Sequence, residues 1–319
     1  VAESEVNKQV LTLSVEEQAV LKTLAYFDVF NYPMKPSEIH QFAPILMSPL
    51  NVVPCLNYMV NHGLIFQHGN FFSINSDPAV AESRKANSKT TDKSIALAKR
   101  FSRFLSRVPF VDGVFAADTN SFELHPEGVE LDFSIIAKPN RAWLCRFFIR
   151  LYMSLFWFRS SKSFGLNHII DGGQLQLDDK SLMMATKLKM LTPMVNQELY
   201  SSFIKSNTWA NQFLPNLKQK AKEDVPELSK NVLKSIIEFV GSGAIGSSLN
   251  KLLKNLDQKP HKSEEMDSTT KSKTGIHFIA INAIRNENEV NELVLNRLAS
   301  IASTHKINLN VGELLSAKP

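Results

Sequence analysis

Two carboxylates two residues apart, Glu130 and Asp132, lie in VELDFSIIA (129–137), a run whose alternation predicts a β-strand. Positions i and i+2 of a strand share a face, so both carboxylates point the same way. Such a pair can hold divalent metal ions for phosphoryl or nucleotidyl transfer. Taken alone, it is also what ordinary solvated strand polarity looks like. Gly241 to Gly246 spells G-x-G-x-x-G. A dinucleotide site would need a strand before that motif, but LSKNVLKSIIEFV and SSLNKLLKNL on its flanks read as helices, so the glycines mark a helix junction. The eight histidines show no metal-ligand spacing, and two cysteines, Cys55 and Cys145, make neither a disulfide framework nor a zinc cluster. No Ser-His-Asp order can be read from the chain.

The elements that must position these groups begin with SVEEQAVLKTLAYFDV (14–29), an amphipathic helix with Ser14 as N-cap and Glu17 completing a capping box. Asn31-Tyr32-Pro33 ends it. Further helices are expected at Lys35 to Phe42 and Leu50 to Asn61. Strands follow at Leu64 to Phe66 and Phe71 to Ile74, around a His68-Gly69-Asn70 turn. Three helices and a hairpin predict a winged helix over 1–76. A DNA-binding role would need cations against phosphates. This segment has three lysines, no arginine and six acids, a net charge of −3, and its third helix has no basic residue. Charge therefore argues for a structural or partner-binding module and against DNA.

Residues 82–108 read as helical and hold eight basic residues against Glu82 and Asp92. That run is either a solvated face or a positive wall beside an anionic ligand. A strand at Phe110 to Ala116 and a loop to Gly128 lead into the Glu130/Asp132 strand. Trp143 to Phe158 is the most apolar run. It is shorter than the roughly 20 residues a span requires, and Arg146 and Arg150 interrupt it. It reads as a half-buried helix; a membrane-surface helix is the lesser reading, because two arginines give only a small basic face. Leu166 to Ile170 suggests a strand. Residues 179–213 read as helices broken at Pro193, and 226–256 as helical again. Residues 257–275 are polar and expected to be disordered. A last helix covers about 288–304. The chain has 319 residues, 44% of them hydrophobic and 21 of them Phe, so it holds two or three well-filled cores. A net charge of +5 permits a phosphate-bearing partner without requiring one. The cysteine usage, and the lack of a signal-peptide pattern, point to the cytoplasm.

The stretch PFVDGVFAADTNSFELHPEGVELDFSIIAKPNRAWLCRF resembles the nucleotidyltransferase (polymerase β-like) superfamily, in particular a bacterial branch with an N-terminal winged helix. LKTLAYFDVFNYP (21–33), GLNHIID (165–171) and SNTWANQFLPN (206–216) extend the resemblance over roughly residues 15 to 216. It implies a Gly-Ser loop that holds a triphosphate, a D-x-D strand that holds Mg²⁺, and a third carboxylate on a later strand. The Gly-Ser pair falls on Asp118 and Thr119, and D-x-D falls on Glu130 and Asp132. Arg141 and Arg146, in the matching KPNRAWLCR segment, are then either phosphate contacts or structural groups near a helix start. Asp171 is the nearest candidate for the third carboxylate. The departures bear on function. Asp118 puts a negative side chain where glycine would admit phosphate. Glu130 is one methylene longer than Asp, and a misplacement of about 1 Å can cost ~100-fold in rate.

The expected fold is α+β: a winged helix at 1–76, a nucleotidyltransferase-like mixed sheet at 77–216, and a helical C-terminal region at 217–319. The expected function is that of a degenerate nucleotidyltransferase homologue, weakly active or non-catalytic, serving as a binding or regulatory subunit with a protein partner or acceptor not specified by sequence. The alternatives are an active enzyme using Mg²⁺ and a nucleoside triphosphate through Glu130 and Asp132, and a winged-helix DNA-binding regulator. No membrane span is expected.

Overall fold

A computed structural model describes residues 11–88, 91–117, 131–156, 164–218, 225–229, 231–257, 278–280 and 287–309. The first helices are α1 (Val15–Asp28), α2 (Pro36–Phe42), α3 (Pro49–Asn61), α4 (Ala79–Ser88) and α5 (Thr91–Leu105). Next come α6 (Ala142–Phe156), α7 (Leu182–Lys189), α8 (Gln197–Ser206) and α9 (Ala210–Phe213). The last are α10 (Val232–Ser242), α11 (Ala244–Asp257) and α12 (Glu287–His305). The strands are β1 (Phe66–His68), β2 (Phe71–Ser73), β3 (Val111–Ala117), β4 (Leu131–Ala137), β5 (Phe164–Asp171), β6 (Leu191–Val195) and β7 (Phe278–Ala280). The architecture is α+β, in two units: Val1–Lys85 with Asn211–Lys218 and Glu287–Pro319, and Ala86–Ala210 with Gln219–Asn286. The C-terminal helices therefore do not form the separate region expected at 217–319. α12 belongs to the first unit, while α10 and α11 belong to the second.

In the first unit α1 starts where its cap is encoded. The Glu17 amide donates to Ser14 Oγ (3.2 Å), and the Ser14 amide donates to Glu17 Oε2 (2.7 Å). Val20, Leu21, Leu24, Ala25 and Phe27 are buried along it. β1 and β2 form an antiparallel hairpin that turns at Gly69, whose φ of +65° suits glycine. Met34, between α1 and α2, exchanges two backbone hydrogen bonds of 2.8 Å with Phe72. Arg84, counted in the basic run, is not on a solvated face. It is buried over Tyr32 (3.9 Å) and donates to Glu38, the Tyr32 hydroxyl and the Pro33 carbonyl. α12 buries Val290, Val294 and Leu298 at four-residue spacing, and its Arg297 pairs with Asp28 of α1 (2.8 Å).

The second unit is built on a five-stranded mixed sheet in the order β6-β3-β4-β5-β7. β3 runs antiparallel to β4 and β6, β4 is parallel to β5, and β7 is antiparallel to β5. α6 makes the β4-to-β5 crossover that parallel pairing requires. Phe101, Leu105, Phe133, Ile135, Trp143 and Ile149 are among the core residues. β6 corrects the helix expected through 191–195. Pro193 sits opposite Phe115 on an edge strand, where a residue without an N–H loses no bond on its open side.

α10 and α11 dock through polar groups, with Ile237 and Leu253 as their apolar contacts to the core. Lys234 is buried, and its Nζ donates to the carbonyls of Ser106 and Val111 (2.8 Å each). Glu238 accepts from the Phe110 amide and from Lys138 Nζ (2.7 Å each). Outward lie Val232, Leu233, Ile236, Phe239 and Val240, with Phe239 81% exposed and Val232 78%. On α11, Asn250 Oδ1 accepts the Trp143 and Leu144 amides at the start of α6 (3.0 Å each), while Ile245, Leu249, Leu252 and Leu256 are exposed. The helices meet at 86° across Gly243. A Cβ on Gly246 would lie 1.8 Å from the Gly241 carbonyl oxygen, so the G-x-G-x-x-G run makes a tight helix corner. Among the described residues no single helix is long and apolar enough to cross a membrane.

Candidate functional site

The metal site implied by the sequence would lie where β3 ends and β4 begins. Asp132 is the second residue of β4, in register with Gly165 of β5. Asp118, Thr119 and Glu130 fall within 118–130, outside the described residues, as does the side chain of Asp132. Next to positions 131–133, β5 supplies Phe164, Gly165 and Leu166. None of these is a carboxylate.

Asp171 belongs to the other end of the sheet. It pairs with Ala137, five positions along β4 from Asp132, or about 16 Å at ~3.3 Å per residue. Its Oδ1 accepts the amides of Asn140 (2.8 Å) and Gly173 (2.9 Å), which fixes the turns after β4 and β5. Its assignment as third metal ligand is therefore corrected: parallel β4 and β5 carry residues 132 and 171 to opposite sheet ends. Among the described residues no three His, Cys, Asp or Glu side chains converge to hold a metal ion. The described surroundings of Asp132 thus do not complete a three-carboxylate Mg²⁺ site.

Arg141 also lies at the Asp171 end, and its guanidinium is spent on protein. Nε donates to the Gly241 carbonyl (2.7 Å), and Nη2 donates to those of Ser242 (2.5 Å) and Gly243 (3.3 Å). Nη1 donates to the Asn140 carbonyl (2.9 Å). These carbonyls lie at the C-terminus of α10, where the helix dipole favours a cation; that of Gly243 also accepts the Ser247 amide (3.1 Å). The phosphate contact is thereby corrected to a helix C-cap. Arg146, one turn into α6, lies over the Trp143 ring at 5.5 Å.

Sequence reasoning missed the charge cluster beneath α10. Lys138, Lys234 and Glu238 meet beside Asp112. Burial pushes the Asp112 carboxyl up, against the pull of Lys138 and Lys234. Burial also pushes the Lys234 ammonium down, opposed by Glu238. One signal was present: in VLKSIIEFV the only charges are an i, i+4 Lys–Glu pair amid apolar residues. His168 was missed as well. It lines a small cavity with Ser134, Lys187, Leu188 and Phe203, and burial, helped by the Lys187 charge, pushes it down to about 3. The cysteines are poor nucleophiles: both are buried, which pushes Cys55 up to about 11 and Cys145 further still.

No family model, curated protein or solved structure matches this chain.

Proposed function

We propose that this chain is a nucleotidyltransferase-like protein that does not transfer nucleotides and serves as a binding or regulatory component. The observation that carries this reading is the register of β4 and β5, which leaves Asp132 without a carboxylate from its parallel neighbour. A nucleotidyltransferase-like ancestry is supported by an antiparallel β3–β4 pair followed by an α6 crossover into parallel β5. A winged-helix reading of the first unit is supported by three helices, a hairpin, and the Met34–Phe72 bridge that pairs one further residue with that hairpin. A partner-binding role for that module, in place of DNA binding, is supported by α3. Its exposed face offers Leu50 and Val53, with Leu46 just before the helix, and no cation.

On the resemblance, Asp118 would oppose a triphosphate as well. A carboxylate ~4 Å from a phosphate charge costs up to about 4 kcal/mol at an effective dielectric of ~20, before screening. Calorimetry with each of the four ribonucleoside triphosphates and Mg²⁺ tests the reading, together with an assay for pyrophosphate release. The expected outcome is no metal-dependent binding and no pyrophosphate, with triphosphate affinity gained in an Asp118→Gly/Thr119→Ser/Glu130→Asp variant. Tight Mg²⁺-dependent binding by the unmodified chain, not improved by those substitutions, would favour the active enzyme instead.

A further inference from the structure

α10 and α11 leave most of their apolar side chains on a surface exposed among the described residues. We propose that this surface, made by α10, α11 and the exposed stripe Phe147, Leu151 and Leu155 of α6, seats the second unit on an anionic lipid bilayer. The inference does not depend on the nucleotidyltransferase-like reading.

The first observation is the inversion itself. Apolar residues at 3–4 spacing normally face a core. Here most of the apolar side chains of two contacting helices face outward and only Ile237 and Leu253 pack on the core, while polar residues hold the sheet and cap α6. An apolar patch of this extent on a soluble chain marks an interaction surface.

The second observation is charge. Lys251 of α11 and Arg150 of α6 are exposed on these helices. α5, which meets α6 through Phe104 and Tyr152 (6.4 Å between rings), exposes Lys99, Arg100 and Arg103. The acids of α5, α6, α10 and α11 are Asp92, Glu238 and Asp257. Two of these stand at helix ends, and Glu238 is turned inward and paired. Apolar side chains bordered by cations fit the interface of a negatively charged leaflet.

The same charge pattern disfavours a second copy. A two-fold interface brings one patch against itself, and cations would meet cations. The chain's own next segment is also a poor cover, because residues 258–275 contain Met266 as their one large apolar side chain. The helices lie in the surface instead of crossing it. Their arms of 11 and 14 residues bend by 86° and are roughly 16 and 21 Å long, short of the ~30 Å hydrocarbon core.

Sedimentation of the full chain with phosphatidylcholine vesicles, with and without phosphatidylserine, tests the proposal. The chain should pellet with the phosphatidylserine vesicles and be released by added salt. A Phe239→Ser/Leu252→Ser variant should lose at least roughly tenfold in partitioning, because each exposed side chain contributes insertion energy and neither holds the fold. Lys251→Glu should weaken binding several-fold on the anionic vesicles alone. A wild-type chain that stays in solution with both vesicle types overturns the proposal. If that chain is a dimer that Phe239→Ser dissolves, a second copy is the occupant; if it is a monomer, the surface does not bind lipid. Circular dichroism of each variant against wild type separates lost binding from lost folding.

Discussion

α1 in the first unit and α10 in the second are both rich in apolar residues and present them differently. α1 buries Leu21, Leu24 and Phe27, leaves Glu16 and Glu17 half-buried, and buries one acid, Asp28, against Arg297, so most of its packing derives from apolar area. α10 buries Lys234, half-buries Glu238 and exposes Phe239 and Val232, so its docking derives from hydrogen bonds and two ion pairs, with Ile237 as its apolar contact to the core. Apolar packing tolerates small shifts in register. A buried polar network requires every member to find its partner, and loss of one leaves the others unpaired. Helix orientation therefore depends on what the receiving surface offers as much as on the helix's own pattern. Beneath α10 that surface offers the Phe110 amide and the carbonyls of Ser106 and Val111.

Glu238→Ala should test this contrast most severely. It leaves Lys234 buried without its carboxylate and the Phe110 amide without an acceptor, a loss of about 3–5 kcal/mol. All three tryptophans, 143, 157 and 209, lie in the second unit, so fluorescence-detected urea unfolding reads that unit alone. A loss below about 1 kcal/mol would mean that α10 is held by something other than this network.

Truncation of apolar side chains should separate the two helices next. Leu24→Ala in α1 removes a buried side chain and should cost about 3 kcal/mol. Phe239→Ala in α10 should stay within about 0.5 kcal/mol, since little of that side chain is buried. Circular dichroism melts of the two variants check both, and equal losses would erase the distinction.

A smaller effect concerns a histidine buried beside a like charge, Lys187. His168 sits near 3 in the folded chain and near its ordinary 6.5 when unfolded, so on acidification the unfolded state takes the proton first. Its contribution is present at pH 7 and is lost as pH falls from about 6.5 towards 3, amounting to about 2 kcal/mol at pH 5. The difference in fluorescence-detected urea midpoint between pH 7 and pH 5 should shrink in His168→Leu. An unchanged difference would assign the acid sensitivity to other groups.

Local features were legible in the sequence; those set by distant partners were not. Ser14 and Glu17 marked the start of α1, and alternation located β4, because those signals act within a few residues. β6 was missed because a five-residue apolar run carries no period that separates strand from helix, and its proline only shows its meaning once β6 is known to be an edge. Glu130 and Asp132 were legible as an E-x-D pair. The misplacement of Asp171 followed from pairing register across more than thirty residues, which no local pattern encodes. Arg141 looked like a phosphate ligand because the carbonyls it serves lie 100 residues later.

The two caps around the start of α6 also set an order of events during synthesis. Arg141 awaits the carbonyls of residues 241–243, and the first amides of α6 await Asn250, 107 residues beyond Trp143. At a ribosome adding ~5–20 residues per second, that separation is roughly 5–20 s. For that interval the nascent crossover helix, with β4 already made and β5 arriving, has neither its N-terminal acceptor nor the buried use for its arginine. The corner at Gly243 is thus the clasp on the crossover helix, and the chain reaches it only after all the described strands but β7 have left the ribosome's active site.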